Sequence, residues 1–147
     1  MFRYLQNLSY KNIDATFKAG VAMKRGSFVT KDEATKTVSL AVAGDSLEDI
    51  FIVDRGLVDD DLAFYTLSDY EDRLENIKKD EFVNLNKIFA GERIAVSEYT
   101  GLDTDLASGK YLKVANGQLT NSATPTKIKS LGFVDDCGHK LLAFEIA

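Results

Sequence analysis

The chain of 147 residues has 45% hydrophobic, 28% charged and 10% aromatic content, the profile of one folded domain and not of a disordered or collagen-like chain. Its single cysteine, Cys137, excludes an intramolecular disulfide, and its single histidine, His139, excludes most familiar metal and nucleophile–base sites. Its apolar stretches fall short of the roughly 20 residues of a membrane-spanning helix, and the first residues lack the apolar run of a signal peptide. We therefore expect a soluble protein that is not exported by that route and does not bind membranes.

Charge is distributed unevenly along the chain, whose net charge is −5. Residues 1–31 contain six bases and one acid (net +5), residues 32–81 contain fifteen acids and five bases (net −10), and residues 82–147 contain seven of each. The basic first segment and the acidic middle can attract each other within a subunit, across a subunit interface or towards separate partners, or can form a solvated surface. Nucleic-acid binding is disfavoured, because the bases are scattered singly and the acids would repel phosphate.

Short strands bounded by glycine, asparagine or aspartate are the main local pattern in the first half of the chain. Residues Thr37–Val42 alternate polar and apolar side chains, which places Val38, Leu40 and Val42 on one face of a half-buried strand. Residues Asp49–Val53 are apolar without alternation, which is typical of a strand covered on both sides.

One segment departs from this β pattern. Ser68 and Glu71 form a capping-box sequence, in which each side chain can satisfy a free backbone donor at a helix start. The apolar stripe of this helix would consist of Tyr70, Leu74 and Ile77. The spacing predicts a short amphipathic helix from about Asp69 to Lys79 with an acidic outer face.

Two hairpins are predicted in the second half of the chain. Tyr111–Ala115 is joined to Gln118–Thr120 by Asn116-Gly117, the pair that supplies the two positive φ angles of a type I′ turn. Lys127–Val134 and Leu141–Ile146 form the second predicted hairpin. The sequence therefore predicts a mainly β protein, in which residues 1–147 form a single small barrel or sandwich of short antiparallel strands with one short helix over about 69–79.

Residues 1–14 combine aromatic side chains with isolated positive charges. This segment is too apolar to remain in water, so it is either a docking arm or the first strand of the same sheet. A docking arm could add a strand to the exposed edge of a partner. The residues that we expect to contact a partner are Phe2, Arg3, Tyr4, Leu5, Leu8, Tyr10 and Lys11.

Candidate chemical groups are few. The run Asp59–Asp61 and the pair Asp103 and Asp105 could supply carboxylates to calcium or magnesium, but solvated turns fit both patterns better. His139 and Cys137 lie in a turn beside two aspartates, and neither the helix N-terminus nor the neighbouring cation that activates a catalytic thiol is predicted there. We therefore expect neither catalytic residues, nor a metal, nor a cofactor. The alternative is a small acidic β-barrel enzyme or metal- or ligand-binding protein whose site uses Asp59–Asp61, Asp103 and Asp105.

Several stretches resemble the small β-rich decoration (cement) proteins of tailed-bacteriophage capsids. In that family a short sequence motif recurs where strands enter a barrel. It consists of a glycine, then any residue, then two apolar residues. The stretches that carry the resemblance are Phe17–Thr30, Lys36–Val42, Phe51–Gly56, Ile88–Val96 and Gly109–Gly117. The acidic helix and the aromatic N-terminal segment depart from the family pattern.

The resemblance implies a virion protein without catalytic activity, made in the host cytoplasm and located on the capsid surface. Its partner would be the major capsid protein, and it would associate with itself, commonly as a trimer. Such a protein bridges neighbouring capsid subunits, so that many modest contacts replace one tight contact. Other virion β-proteins of the neck, tail or head fibre remain an alternative.

Overall fold

The structure is a computed structural model that describes residues 1–6, 13–55 and 75–147. The described chain is mainly β, as predicted, and its strands belong to three sheets. The strands before the middle of the chain are β1 (Phe2–Gln6), β2 (Ile13–Ala19), β3 (Met23–Lys24), β4 (Phe28–Asp32), β5 (Thr37–Leu40) and β6 (Ile50–Arg55). Those after it are β7 (Asn76–Ile77), β8 (Phe82–Lys87), β9 (Arg93–Val96), β10 (Tyr111–Ala115), β11 (Gln118–Asn121), β12 (Ile128–Asp136) and β13 (His139–Ile146).

Five strands close into a barrel in the order β2-β5-β4-β6-β8. All neighbours in it are antiparallel except β2 and β5, which pair in parallel. Alternate residues of these strands pack into one buried core cluster, which includes Phe17, Val29, Val53 and Leu85. Closure gives every barrel strand two neighbours, so none of them presents an open edge.

The second sheet has six strands in the order β1-β9-β13-β12-β10-β11. Both predicted hairpins are confirmed within it. Asn116 and Gly117 have φ angles of 50° and 73°, and Ala115 pairs with Gln118 across them. A two-residue turn also joins β12 to β13, where Cys137 and Gly138 have φ angles of 52° and 88°.

A shared core joins the barrel to the six-stranded sheet. Phe28 and Ile52 from the barrel and Leu142 and Phe144 from the sheet belong to one buried cluster. The rings of Phe28 and Phe144 lie 5.9 Å apart at an interplanar angle of 54°. Burial of these side chains stabilises the two sheets as one unit.

The predicted helix over about 69–79 does not reach its expected end. Residues 69–74 lie outside the described part of the chain, but Asn76–Ile77 form β7, which pairs with β3. Ile77 pairs with Met23 in this sheet and is buried in the barrel cluster. Packing of Ile77 therefore outweighs the helical spacing at this point.

The end of β5 differs from the prediction in one side chain. Val38 is buried and Leu40 packs against the barrel core, as expected, but the strand ends at Leu40. Val42 lies beyond that end and is 54% exposed. A short 3-10 helix, Leu47–Asp49, follows before β6.

Candidate partner-binding surface

Strand β1 forms one edge of the six-stranded sheet. It pairs antiparallel with β9, with Phe2 opposite Val96 and Tyr4 opposite Ile94, and the register shifts between Tyr4 and Gln6. The residues at the start of the N-terminal segment therefore form a strand of this sheet. The predicted contact residues Leu8, Tyr10 and Lys11 lie outside the described part of the chain.

Two of the predicted contact residues face inward. Phe2 is only 6% exposed and belongs to the shared core, and its ring meets that of Tyr4 edge-on at 5.7 Å. Burial raises the pKa of the Tyr4 hydroxyl to about 12, and the negative charges of Glu92 and Asp54 add to the rise. These two aromatic side chains hold β1 against the protein.

The side chains of Arg3 and Leu5 face outward from β1. The Arg3 guanidinium Nη1 lies 2.5 Å from Asp136 Oδ1, next to the turn between β12 and β13. Leu5 is 37% exposed. The exposed face of β1 thus combines an apolar side chain with a positive charge that is paired with Asp136.

Charged groups fix the start of β1. The Met1 α-ammonium donates hydrogen bonds to Arg25 O and Ser97 Oγ, each at 2.7 Å, and lies 2.5 Å from Glu75 Oε2. Arg25 also forms an ion pair with Asp54 at 2.6 Å. Groups from both the barrel side and the sheet side therefore position this strand.

Gly26 allows the close approach of β1 to the barrel. Its φ is +93°, and a Cβ at this position would lie 2.8 Å from Met1 O and 3.2 Å from the Cβ of Phe2. A larger residue would push Met1 and Phe2 away.

A second surface feature, which the sequence analysis missed, is a group of lysines around two phenylalanine rings. We call Lys31, Lys36 and Lys87 the lysine cluster. Lys31 Nζ lies 4.4 Å from the centroid of the Phe51 ring and 4.9 Å from that of Phe17. Lys87 Nζ lies 4.9 Å from the Phe51 centroid, and Lys36 Nζ lies 5.2 Å from the Phe17 centroid.

Asp14 neutralises one member of this cluster. Lys31 Nζ donates a hydrogen bond to Asp14 Oδ2 at 2.7 Å, and the backbone N and hydroxyl of Thr16 donate to Asp14 Oδ1. The bond from Lys31, followed by those from Thr16, lowers the pKa of Asp14 to about 2. Asp14 is therefore charged at neutral pH.

Strand alternation is the signal that could have revealed the lysine cluster. Lys31 stands two residues after buried Val29, and Lys87 stands two residues after buried Leu85. Each lysine therefore shares a strand face with a core residue. The pairing of β6 with β8, which places Lys87 opposite Phe51, could not be read from the sequence.

The other sequence candidates among the described residues lie at the turn between β12 and β13 and in the loop before β10. His139 and Asp136 are register partners at the β12–β13 turn, and Cys137 is exposed in that turn. Asp103 forms an ion pair with Lys140. Asp59–Asp61 lie outside the described residues.

Metal-binding clusters and membrane-spanning helices can be assessed for the described residues. Among them, no group of three or more histidine, cysteine, aspartate or glutamate side chains is placed to hold a metal ion. The helical parts of these residues include none that is both long and apolar enough to span a membrane. Comparison of the chain with protein-family models, curated proteins and solved structures found no match.

Proposed function

We propose that this protein is a non-enzymatic structural protein of a virion that decorates the capsid and stabilises it. It binds the outer surface of the capsid lattice through the major capsid protein and bridges neighbouring capsid subunits. Copies associate with one another, as a trimer. Support comes from the resemblance to decoration proteins of tailed-phage capsids and from the mainly β architecture, in which a closed barrel and a six-stranded sheet share a core.

The observation that carries the proposal is the placement of β1. It is an edge strand with an inward face anchored by Phe2 and an outward face that presents Arg3 and Leu5. Edge strands are sites where a partner can add a strand or pack side chains. An anchored edge can transmit load from one capsid subunit to the next without detaching from its own domain.

Imaging of purified virus particles tests where the protein acts. We expect copies over the whole capsid lattice, at positions that bridge neighbouring capsid subunits. A few copies at one vertex would overturn decoration in favour of a neck, tail or head-fibre role. Absence from particles would overturn every virion role.

A binding experiment tests the contribution of β1. Leu5→Asp places a charge on its outward face and should weaken co-sedimentation with capsids that lack the protein by about tenfold or more. Leu102→Asp is the matched control, because Leu102 is 70% exposed in the loop between β9 and β10 and belongs to no strand of the six-stranded sheet. Equal binding by the two variants would show that the outward face of β1 is not the capsid contact.

A further inference from the structure

Among the residues that the structure describes, Lys87 is the member of the lysine cluster whose ammonium has no carboxylate partner. Its side chain is half-buried, and its ammonium lies over the Phe51 ring on β6. Lys31 pairs with Asp14, and Lys36 pairs with Glu33 at 2.5 Å. Within residues 1–6, 13–55 and 75–147, no carboxylate forms an ion pair or hydrogen bond with Lys87.

The surroundings of Lys87 favour a carboxylate ligand. A partly desolvated ammonium loses hydration that the ring of Phe51 replaces only in part, because a ring face is a weaker partner than an anion. Lys31 lies near the same ring, where Asp14 balances its charge. An acidic side chain entering here would meet one unbalanced charge and a second ammonium close by.

The same chain offers a matching acidic surface in the turn before β6. We call Asp45, Glu48 and Asp49 the acidic turn. Asp45 Oδ2 accepts a hydrogen bond from Val42 N at 2.8 Å, and Asp49 N donates to Ser46 O at 2.9 Å, so the turn has a fixed shape. In the described part of the chain, the exposed carboxylates of Glu48 and Asp49 have no cationic partner.

We propose that the lysine cluster of one copy binds the acidic turn of a second copy. Each protomer then supplies both halves of a complementary contact, with Lys87 as the central cation and Glu48 and Asp49 as its ligands. Val42, which is 54% exposed beside the acidic turn, adds apolar area to the contact. This inference rests on the proposed function for its expectation of several copies, and it names the surfaces that join them.

Sedimentation of the purified protein without capsids tests the contact. We expect the mass to rise with protein concentration at about 0.05 M salt and to fall towards that of one copy at about 0.5 M, because salt screens the contact. Lys87→Glu should weaken association by about tenfold or more, and the neutral Lys87→Gln should weaken it less. Lys113→Glu, at an exposed position on β10, is the control with the same change of net charge.

Mixing two reversed variants gives the sharper result. One variant is Lys87→Glu, and the other is the double variant Glu48→Lys, Asp49→Lys. Each variant by itself should fail to associate, because like charges then face each other. An equimolar mixture should regain association, since each half of the contact has an opposite charge in the other variant. Circular dichroism and thermal melting of each variant separate loss of contact from loss of fold.

Several results would overturn the inference. The wild-type protein could keep the mass of one copy at all concentrations. Lys87→Glu and Lys113→Glu could weaken self-association equally. The mixture of reversed variants could also fail to associate. Binding of a single-stranded oligonucleotide that Lys87→Gln abolishes, without self-association, would assign the cluster to nucleic acid. Because these runs contain no capsid, their failure is distinct from absence of the protein from particles, which bears on the proposed function.

Discussion

At the scale of single residues, Gly117 combines backbone strain with a steric limit. Its φ is +73°, and a Cβ would lie 2.6 Å from Leu40 Cδ2 and 3.2 Å from the backbone oxygen of Phe28. Gly117→Ala should therefore lower the free energy of unfolding by the left-handed penalty of about 1–2 kcal/mol plus about 1–3 kcal/mol for overpacking. Gly109→Ala is the control for strain alone, because Gly109 has a φ of +89° and no atom within 4 Å of its Cβ position. Urea unfolding measures the free energy of unfolding of both variants. An equal loss of this free energy in Gly117→Ala and Gly109→Ala would contradict the steric argument.

Asp14 links one side chain to the pH dependence of stability. Its pKa is about 2 in the folded protein against an ordinary value of 3.8, because hydrogen bonds from Lys31 and Thr16 favour the charged form. The unfolded chain therefore takes up this proton first as the pH falls. The contribution of ionised Asp14 to the free energy of unfolding is fully present above about pH 4 and is lost as the pH falls through about 2.

The measurement compares wild type with Asp14→Asn, which lacks the titrating group. Urea unfolding at a series of pH values should show wild type more stable at neutral pH, with the difference shrinking between about pH 4 and pH 2. A difference that does not change over this range would contradict the assigned hydrogen bonds.

At the scale of elements, β1 is held by one buried side chain and exposes another. Phe2→Ala should reduce the free energy of unfolding by about 3–5 kcal/mol, because it leaves a cavity in the shared core. Leu5→Ala should cost about 1 kcal/mol or less, since Leu5 is partly exposed. Thermal melting of the two variants checks this contrast. Similar losses at both positions would mean that β1 does not pack as described.

Strand pairing shows how far the sequence could predict the elements. The β10–β11 hairpin follows from Asn116-Gly117, since this pair defines both the turn and the register of its strands. The prediction that the helix continues to about Lys79 was wrong, because Ile77 fits a helical spacing but also pairs with Met23 in a strand. Only the tertiary partner decides between the two.

The two candidate surfaces, β1 and the lysine cluster, also differ in how far the sequence could predict them. The N-terminal segment could be selected from its aromatic composition, but its placement as an edge strand depends on pairing with β9, far along the chain. The lysine cluster was missed because Lys87 lies about 50 residues along the chain from Lys31 and Lys36. Their contact with the rings of Phe17 and Phe51 exists only after the barrel has closed.

At the scale of the whole molecule, the shared core predicts cooperative unfolding. Phe28 belongs to the barrel, yet its ring packs against Phe144 of the six-stranded sheet. Phe28→Leu should therefore lower the opening free energies of slowly exchanging amides in both sheets by the same amount. Hydrogen exchange followed at Leu85 in the barrel and Leu142 in the six-stranded sheet checks this.

Val83→Ala is a useful comparison, because Val83 belongs to the barrel cluster and not to the shared core. Under cooperative unfolding it should also reduce protection at Leu142. If either variant lowers protection in the barrel while protection in the six-stranded sheet is unchanged, the two sheets unfold independently.

The pairing of the first two strands also has a kinetic consequence. Phe2 pairs with Val96, and Phe17 pairs with Val83, so each strand meets an antiparallel partner only after a long stretch of chain has been synthesised. Contacts of such high sequence separation carry a large loop-closure cost before they contribute stability, and they slow folding. Emergence of β8 and β9 from the ribosome therefore sets the earliest time at which the barrel can close and β1 can join its sheet. Until then the apolar faces of β1 and β2 depend on dilution or chaperones to avoid aggregation.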